Sequence, residues 1–267
     1  MSAELAWLLL AGIGAGLTGS VAGLASLVSY PSLLAAGLPP VVANVTNTVA
    51  MFGVTGGTIA GSRRELRGQG RRIAWLGLAS FLGGAVGAAL LLTTPAEAFE
   101  AIVPWLVGSG AVLLLLRDRI RTWAAARAAG RARRRVPPAL PPDGAGRRTL
   151  ARGFGWGVIV FVLGIYGGYF GAGVGIIALA VLVLERTEAL AITNAVKNVA
   201  TGVANGTAAI AYVFFAPVDW PAAIALGLGA VIGGFLGPGI VRLAPERPLR
   251  WLVGLAGLGL AVHLATT

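Results

Sequence analysis

The chain has 267 residues, of which 57% are hydrophobic and only 12% are charged, and it contains 41 glycines and no cysteine. Soluble domains carry about 25% charged residues, so this composition excludes an ordinary soluble protein. The lack of cysteine excludes disulfides, thiol catalysis and cysteine metal sites. The net charge of +11 lies mostly in Arg63–Arg72 and Arg117–Arg152, beside apolar segments. Such basic segments mark the cytoplasmic side of a membrane, so we expect no nucleic-acid partner.

Long uncharged segments occupy most of the chain. Apolar runs above about 18 residues are typical of membrane spans. About eight apolar segments can be counted, and they predict an all-α polytopic protein of the plasma (inner) membrane. The charge-free stretches run from Leu5 to Ser62, Ile73 to Ala96, Ala101 to Leu116, Gly153 to Leu184 and Trp220 to Val241.

The sequence contains an internal repeat. Sliding the chain by 150 residues aligns Asn44 with Asn194 and Gly83 with Gly233, without a gap. The same offset aligns several segments, so chance matches between glycines do not explain the repeat. The sequence predicts a first membrane repeat at residues 1–116, a basic cytoplasmic linker at 117–150 and a second membrane repeat at 151–267.

The first apolar segment of each half is too long for one crossing. As a straight helix, Leu5–Leu38 or Gly153–Leu184 would be roughly 50 Å long, against a hydrocarbon core of about 30 Å. Both have glycine-rich middles, which predict a broken helix or a re-entrant hairpin.

The arginines distinguish two topologies. If all eight segments cross, the loop holding Arg242, Arg247 and Arg250 falls outside, against the positive-inside trend. If the first segments are re-entrant, this loop falls inside, and the halves become inverted repeats with three full crossings each. We prefer the second arrangement, which is a recurring transporter plan with its site near the midplane.

Lys197 is the only lysine in the chain. Around it, Asn194, Asn198, Thr201 and Asn205 follow the i, i+4, i+7, i+11 spacing of one helix face. A charge inside a membrane is costly and normally pairs with another group. The ten acidic residues all lie at predicted span ends or in loops, so the missing partner is predicted to be an anionic ligand. The alternative is that Lys197 snorkels to the membrane interface.

The first half repeats the polar face, because Asn44, Thr48 and Thr55 align on one side of a helix. Asn47 stands at the position equivalent to Lys197. Two such stripes at equivalent positions should meet where the repeats meet. Asparagine and threonine supply hydrogen-bond donors for an oxyanion. The glycine-rich breaks add backbone N–H groups, and Gly171 and Gly173 are candidates for this role. The hydroxyls of Tyr166 and Tyr169 could cap the site, although packing explains both tyrosines equally well.

Three segments resemble the TauE/SafE sulfite exporter family, also called the TSUP anion permeases. They are "YGGYFGAGVGII" at Tyr166–Ile177, "AITNAVKNV" at Ala191–Val199 and "GLGAVIGGFLG" at Gly227–Gly237. The resemblance extends over nearly the whole chain outside the linker. The first half departs from the family pattern, because "GSVAGLASLVSYP" keeps Pro31 but has fewer glycines. The resemblance implies transport of sulfite, thiosulfate, sulfonates or related small anions.

The sequence thus predicts a secondary transporter for a small, sulfur-containing anion, working by alternating access at the repeat interface. The rivals are a passive anion channel and a structural membrane subunit. An enzyme is not expected, because no acid–base or metal constellation is evident. We expect no cofactor. A proton carried on the substrate, or the membrane potential alone, could drive transport, and a homo-oligomer is an open alternative.

Overall fold

The computed structural model describes residues 3–22, 25–62, 64–133, 145–186, 188–241 and 246–266. All regular secondary structure within these residues is α-helical, so the predicted all-α class is confirmed. The helices are α1 (Ala3–Ala22), α2 (Ser26–Ala35), α3 (Pro40–Gly61), α4 (Gly70–Thr93), α5 (Ala96–Arg133), α6 (Ala145–Tyr169), α7 (Val174–Glu185), α8 (Leu190–Phe215), α9 (Trp220–Val241) and α10 (Glu246–Thr266).

Two helical stretches among the described residues are long and apolar enough to cross a bilayer by length and composition. They are Gly70–Thr93 and Ala96–Gly130, each with an 18-residue stretch whose mean hydropathy is 1.9. Helix α8, which contains Lys197, is not among them. The shorter apolar stretches, of 10–17 residues, are Ala3–Gly19, Ser26–Ala35, Phe154–Tyr169, Val174–Glu185, Trp220–Phe235 and Gly254–Thr266.

The first apolar segment of each half forms two helices, α1 and α2 in the first half and α6 and α7 in the second. In the second half, Gly171 and Gly173 adopt φ angles of +78° and +75°, which side chains with a Cβ rarely tolerate. The N–H groups of Phe170 and Gly171 both donate to the Tyr166 carbonyl, at 3.0 and 2.9 Å. The Tyr166 hydroxyl donates to the Ala172 carbonyl at 2.6 Å. These bonds hold the chain in a defined break between α6 and α7.

Helix boundaries recur with the period seen in the sequence. Helices α3, α4 and α5 begin at residues 40, 70 and 96, and α8, α9 and α10 begin at residues 190, 220 and 246. The packing is reciprocal as well, because α1 lies along α9 while α6 lies along α4. The first helix of each half therefore packs on the fourth helix of the other half.

Glycines allow these reciprocal helix pairs to approach closely. A methyl group on Gly83 or Gly87 would overlap backbone carbonyls of α6, and one on Gly229 or Gly233 would overlap carbonyls of α1. Such small-residue contacts are a common way for membrane helices to associate. The two halves are thus interlocked through four helices rather than packed as separate bodies.

Helix α5 passes through the predicted boundary between residues 116 and 117 without interruption. Its 38 residues correspond to about 57 Å, well beyond the thickness of a hydrocarbon core. Helix α6 begins at Ala145, inside the predicted linker. Residues 134–144, which include most of its proline-rich part, lie outside the described residues. The three-part division of the chain therefore stays a prediction.

Candidate functional site

A row of polar side chains runs along α8. Thr193, Lys197, Thr201 and Asn205 are spaced four residues apart, so they share one face and span about 18 Å. The Lys197 side chain is buried, with 8% of the residue exposed. No ion pair between described residues involves Lys197. A buried ammonium without an ion-pair partner among the described residues is the main electrostatic feature of this helix.

The amides beside Lys197 are also without partners among the described residues. Asn198 and Asn205 are half-buried, whereas Asn194 is exposed. None of these three side chains forms a hydrogen bond within this part of the chain. The Thr201 hydroxyl is satisfied locally, because it donates to the Lys197 carbonyl at 2.9 Å. Asn198 and Asn205 therefore keep amide groups available, and Asn194 lies at the exposed edge of the stripe.

The break between α6 and α7 lies directly beside this row. The Asn205 side-chain oxygen is 3.5 Å from the point where a β-carbon on Gly171 would be, and 3.6 Å from the equivalent point on Gly167. Thr201 lines a cavity of about 10 Å³ together with Gly164 and Gly167. This volume is about enough for one water molecule. The fold thus brings the glycine-rich break and the α8 row together at one place.

The α3 stripe makes contacts within the protein. Asn44, only 1% exposed, donates from Nδ2 to the Tyr169 carbonyl at 2.9 Å. Its Oδ1 is buried and accepts no hydrogen bond from the described residues. The Thr48 hydroxyl donates to the Asn44 carbonyl, and the Ser29 hydroxyl donates to Asn47 Oδ1. Helices α3 and α8 pack together, but most α3 polar groups are already occupied.

The predicted donors at the break have other roles in this structure. The Tyr169 ring centroid lies 5.8 Å from that of Phe99, and the Tyr169 backbone carbonyl accepts a hydrogen bond from Asn44 on α3. The Gly171 N–H is already donated to the Tyr166 carbonyl, so Gly171 contributes its conformation rather than a free donor. Gly173 is buried at the start of α7. The free N–H predicted at Gly171 does not match this geometry, and the capping role of the Tyr169 hydroxyl stays a prediction.

One charged cluster was not anticipated from the sequence. Arg72, at the start of α4, forms ion pairs of 2.6 Å with both Glu185 and Glu188, which flank the connection between α7 and α8. The sequence suggested only a topology signal for Arg63–Arg72. No local pattern links residues more than 100 positions apart, so only the fold reveals this pairing.

The burial of Lys197 also bears on the snorkelling alternative. A snorkelling lysine keeps its ammonium in contact with water or headgroups. At 8% exposure, this side chain is enclosed by protein instead. The geometry therefore favours a ligand-binding interpretation of Lys197. No cluster of three His, Cys, Asp or Glu side chains suited to a metal occurs among the described residues.

The family model of sulfite exporter TauE/SafE matches residues 8–264, which is nearly the whole chain. The chain belongs to the TauE/SafE family. A similar protein is the "Probable membrane transporter protein ORF9" of Sinorhizobium sp, which is 26% identical over 262 residues, 97% of this chain and 92% of the relative. No solved structure matches.

Membership of the TauE/SafE family makes this chain a membrane transporter. It acts in a lipid bilayer and has a small-molecule substrate. The polar row of α8 and the adjacent break in α6–α7 are accordingly candidates for the place where that substrate binds.

Proposed function

We propose that this protein is a secondary transporter for a small oxyanion containing sulfur, such as sulfite, thiosulfate or an organosulfonate. Transport proceeds by alternating access, with the anion held between the α8 row and the break in α6–α7. Lys197 supplies the positive charge, and Asn198 and Asn205 supply amide donors, with Asn194 at the entrance. The site is completed from α3 by Asn44, Asn47 and Thr48. They bind the anion when they release their present hydrogen bonds within the protein. The description of the matching family, sulfite exporter, supports sulfur oxyanions as the first substrates to test.

The observation on which this proposal depends is the buried ammonium of Lys197, which has no ion pair within the part of the chain that the structure describes. An isolated cation in a low-dielectric environment is strongly unfavourable unless an anion or water compensates it. Arg117, on α5, adds a second positive charge to the field at Lys197. An anionic substrate would compensate this field, and the helix dipole at the N-terminus of α7 would also favour its negative charge.

The enclosure of Lys197 supports a carrier over a channel. Because only 8% of this residue is exposed, an anion can reach its ammonium only when neighbouring helices move. The glycine break and the hydrogen bond from Asn44 to the Tyr169 carbonyl are suitable places for such movement. A rearrangement at every turnover is the defining property of alternating access.

Two contacts support inverted repeats with re-entrant first segments. If all eight segments crossed, residues 72 and 188 would lie on opposite faces of the bilayer, yet Arg72 Nη1 is 2.6 Å from Glu188 Oε1. The same topology would separate Asp219 from the start of α3, but the Asp219 N–H donates to Thr46 Oγ1 at 3.0 Å. Re-entrant first segments bring both pairs together. In this arrangement residues 64–72 and the linker share one face, and the positive-inside trend makes that the cytoplasmic face of the proposed plasma-membrane protein.

This topology predicts the sidedness of two equivalent positions. Pro39 and Ala189 are exposed, stand 150 residues apart and precede α3 and α8. In the cysteine-free chain, Pro39→Cys should react with a membrane-impermeant maleimide from outside the cell, and Ala189→Cys only from the cytoplasmic side. Labelling is measured in right-side-out and inverted vesicles. Reaction of both variants from the same side would refute inverted repeats.

Purified protein in proteoliposomes is expected to catalyse saturable sulfite counterflow. In detergent, sulfite or thiosulfate should raise its thermal stability relative to chloride at equal ionic strength, because a ligand at 100 times its Kd stabilises by about 2.7 kcal/mol.

Counterflow with and without a pH gradient separates proton-linked transport from transport driven by the membrane potential alone. An ohmic single-channel current would identify a channel instead, and the absence of any stabilising or transported anion would refute the proposal.

A further inference from the structure

The ion cluster of Arg72, Glu185 and Glu188 joins the two halves of the protein. Arg72 belongs to α4, in the first half, and both glutamates flank the α7–α8 connection, in the second half. The Arg72 guanidinium reaches Glu185 Oε2 and Glu188 Oε1 at 2.6 Å each. The three side chains are 6%, 12% and 13% exposed. An arginine that pairs with two carboxylates in a nearly buried site forms strong hydrogen bonds with a specific geometry.

The cluster lies at one end of the α8 polar row. Thr193, which is 1% exposed, donates from its hydroxyl to Glu188 Oε1 at 3.1 Å. Thr193 is one turn before Lys197 on the same face. The cluster is thereby bonded directly to the helix that holds the candidate anion site. The next cation, Arg186, is 56% exposed and lies 3.8 Å from Glu185.

At the opposite end of the fold, the described residues show no counterpart to this cluster. At an offset of 150 residues, Arg72, Glu185 and Glu188 correspond to Ala222, Ala35 and Leu38. The connection before α9 is instead held to α3 by the neutral hydrogen bond from Asp219 to Thr46. One end is therefore held by charged groups, whereas the bond described between α3 and the connection before α9 at the equivalent end is neutral.

We propose that the Arg72–Glu185–Glu188 cluster is the cytoplasmic gate of the transporter, which opens and re-forms in each cycle. This inference rests on the alternating-access function proposed above. When the cluster separates, water hydrates the arginine and both glutamates, and this hydration limits the free-energy cost of opening. When it forms, it seals the end of the α8 row near Lys197. Interfaces with two discrete arrangements are the usual elements of such transitions.

Cross-linking in the cysteine-free chain tests the gate directly. Direct disulfides need Cα atoms about 4.4–6.8 Å apart, closer than the two ends of an arginine–glutamate pair, so a reducible bifunctional methanethiosulfonate is used. Bridging Arg72→Cys to Glu188→Cys should stop sulfite counterflow, and reduction should restore it. The matched control bridges Arg71→Cys to Trp75→Cys, two exposed positions one turn apart on α4, and should leave counterflow unchanged. Undiminished counterflow in the bridged Arg72–Glu188 variant would overturn the gate.

A second test needs no known substrate. Thr201→Cys reports access to the site by its rate of reaction with an impermeant thiol reagent, applied from the side that labels Ala189→Cys. Lysine lacks the guanidinium fork, so Arg72→Lys should weaken the gate and raise this rate about tenfold, the factor for one charge-assisted hydrogen bond. Arg67→Lys, at an exposed position, should not change it. If Thr201→Cys is labelled at the same rate in the Arg72→Lys and Arg67→Lys proteins, the gate is refuted. If the labelling rates differ as expected but the protein does not transport sulfite, only the proposed substrate is refuted.

Discussion

Replacement of Lys197 by methionine is expected to abolish sulfite counterflow. A hydrogen bond to a charged group contributes about 1.5–3 kcal/mol, so its loss alone weakens anion binding roughly ten- to hundredfold. The anion would also enter a dry site without a countercharge, which raises the barrier further. Counterflow in proteoliposomes and thermal stabilisation by sulfite in detergent measure the two effects separately.

The same substitution is expected to stabilise the protein in the absence of anions. Methionine fills a similar volume, and Lys197 is buried without an ion pair among the described residues. Removing an uncompensated buried charge should raise the free energy of unfolding by about 1–3 kcal/mol, measured by titration with SDS in mixed micelles. Arg119→Met, on the exposed side of α5, makes the same change in net charge and should leave transport intact. Normal counterflow by the Lys197→Met protein would refute the site assignment.

Replacement of Arg72 by methionine is expected to have the largest effect on stability. It leaves Glu185 and Glu188 close together and nearly buried, without their shared cation. Breaking a buried ion pair by removing one partner costs about 3–5 kcal/mol. The expected result is a loss of this size in the free energy of unfolding, again measured by SDS titration.

Two further variants separate the charge effect from loss of packing. In Arg72→Met with Glu185→Gln and Glu188→Gln, no unpaired carboxylate remains, so most of the lost stability should return. Arg67→Met removes an exposed arginine three residues before the start of α4 and should change stability by less than about 0.5 kcal/mol. An equal loss in the single and triple variants would show that the arginine acts by packing rather than by charge.

The contrast between α3 and α8 shows how far sequence reasoning reached into the site. Helical spacing placed Asn44, Asn47 and Thr48 on one face, and the isolation of Lys197 was visible from the chain alone. Spacing could not show that the α3 amides are engaged by Tyr169 and Ser29 while the α8 amides are without described partners. Hydrogen-bond occupancy depends on which element packs against a helix face, and that is a property of the tertiary fold.

Tyr169 and Asn194 illustrate the same limit at single residues. The sequence left the role of Tyr169 open between a capping hydroxyl and packing, and only the fold shows that its ring packs on Phe99 while its carbonyl accepts a hydrogen bond from Asn44. Asn194 was placed on one face with Asn198 and Thr201, yet it is exposed, whereas its neighbour Thr193 is only 1% exposed. Which side of a helix end is buried depends on the elements that pack against it and not on periodicity alone.

The sequence by itself determined the all-α membrane class, the 150-residue repeat, the family and the singular position of Lys197. Each of these depends on composition, local periodicity or self-similarity, which are present in the chain before it folds. The tertiary structure alone decided the interlocking of α1 with α9 and α6 with α4, the position of the break beside Asn205, and the pairing of Arg72 with Glu185 and Glu188. These contacts join residues far apart in the chain, and only the packing of helices against one another selects them.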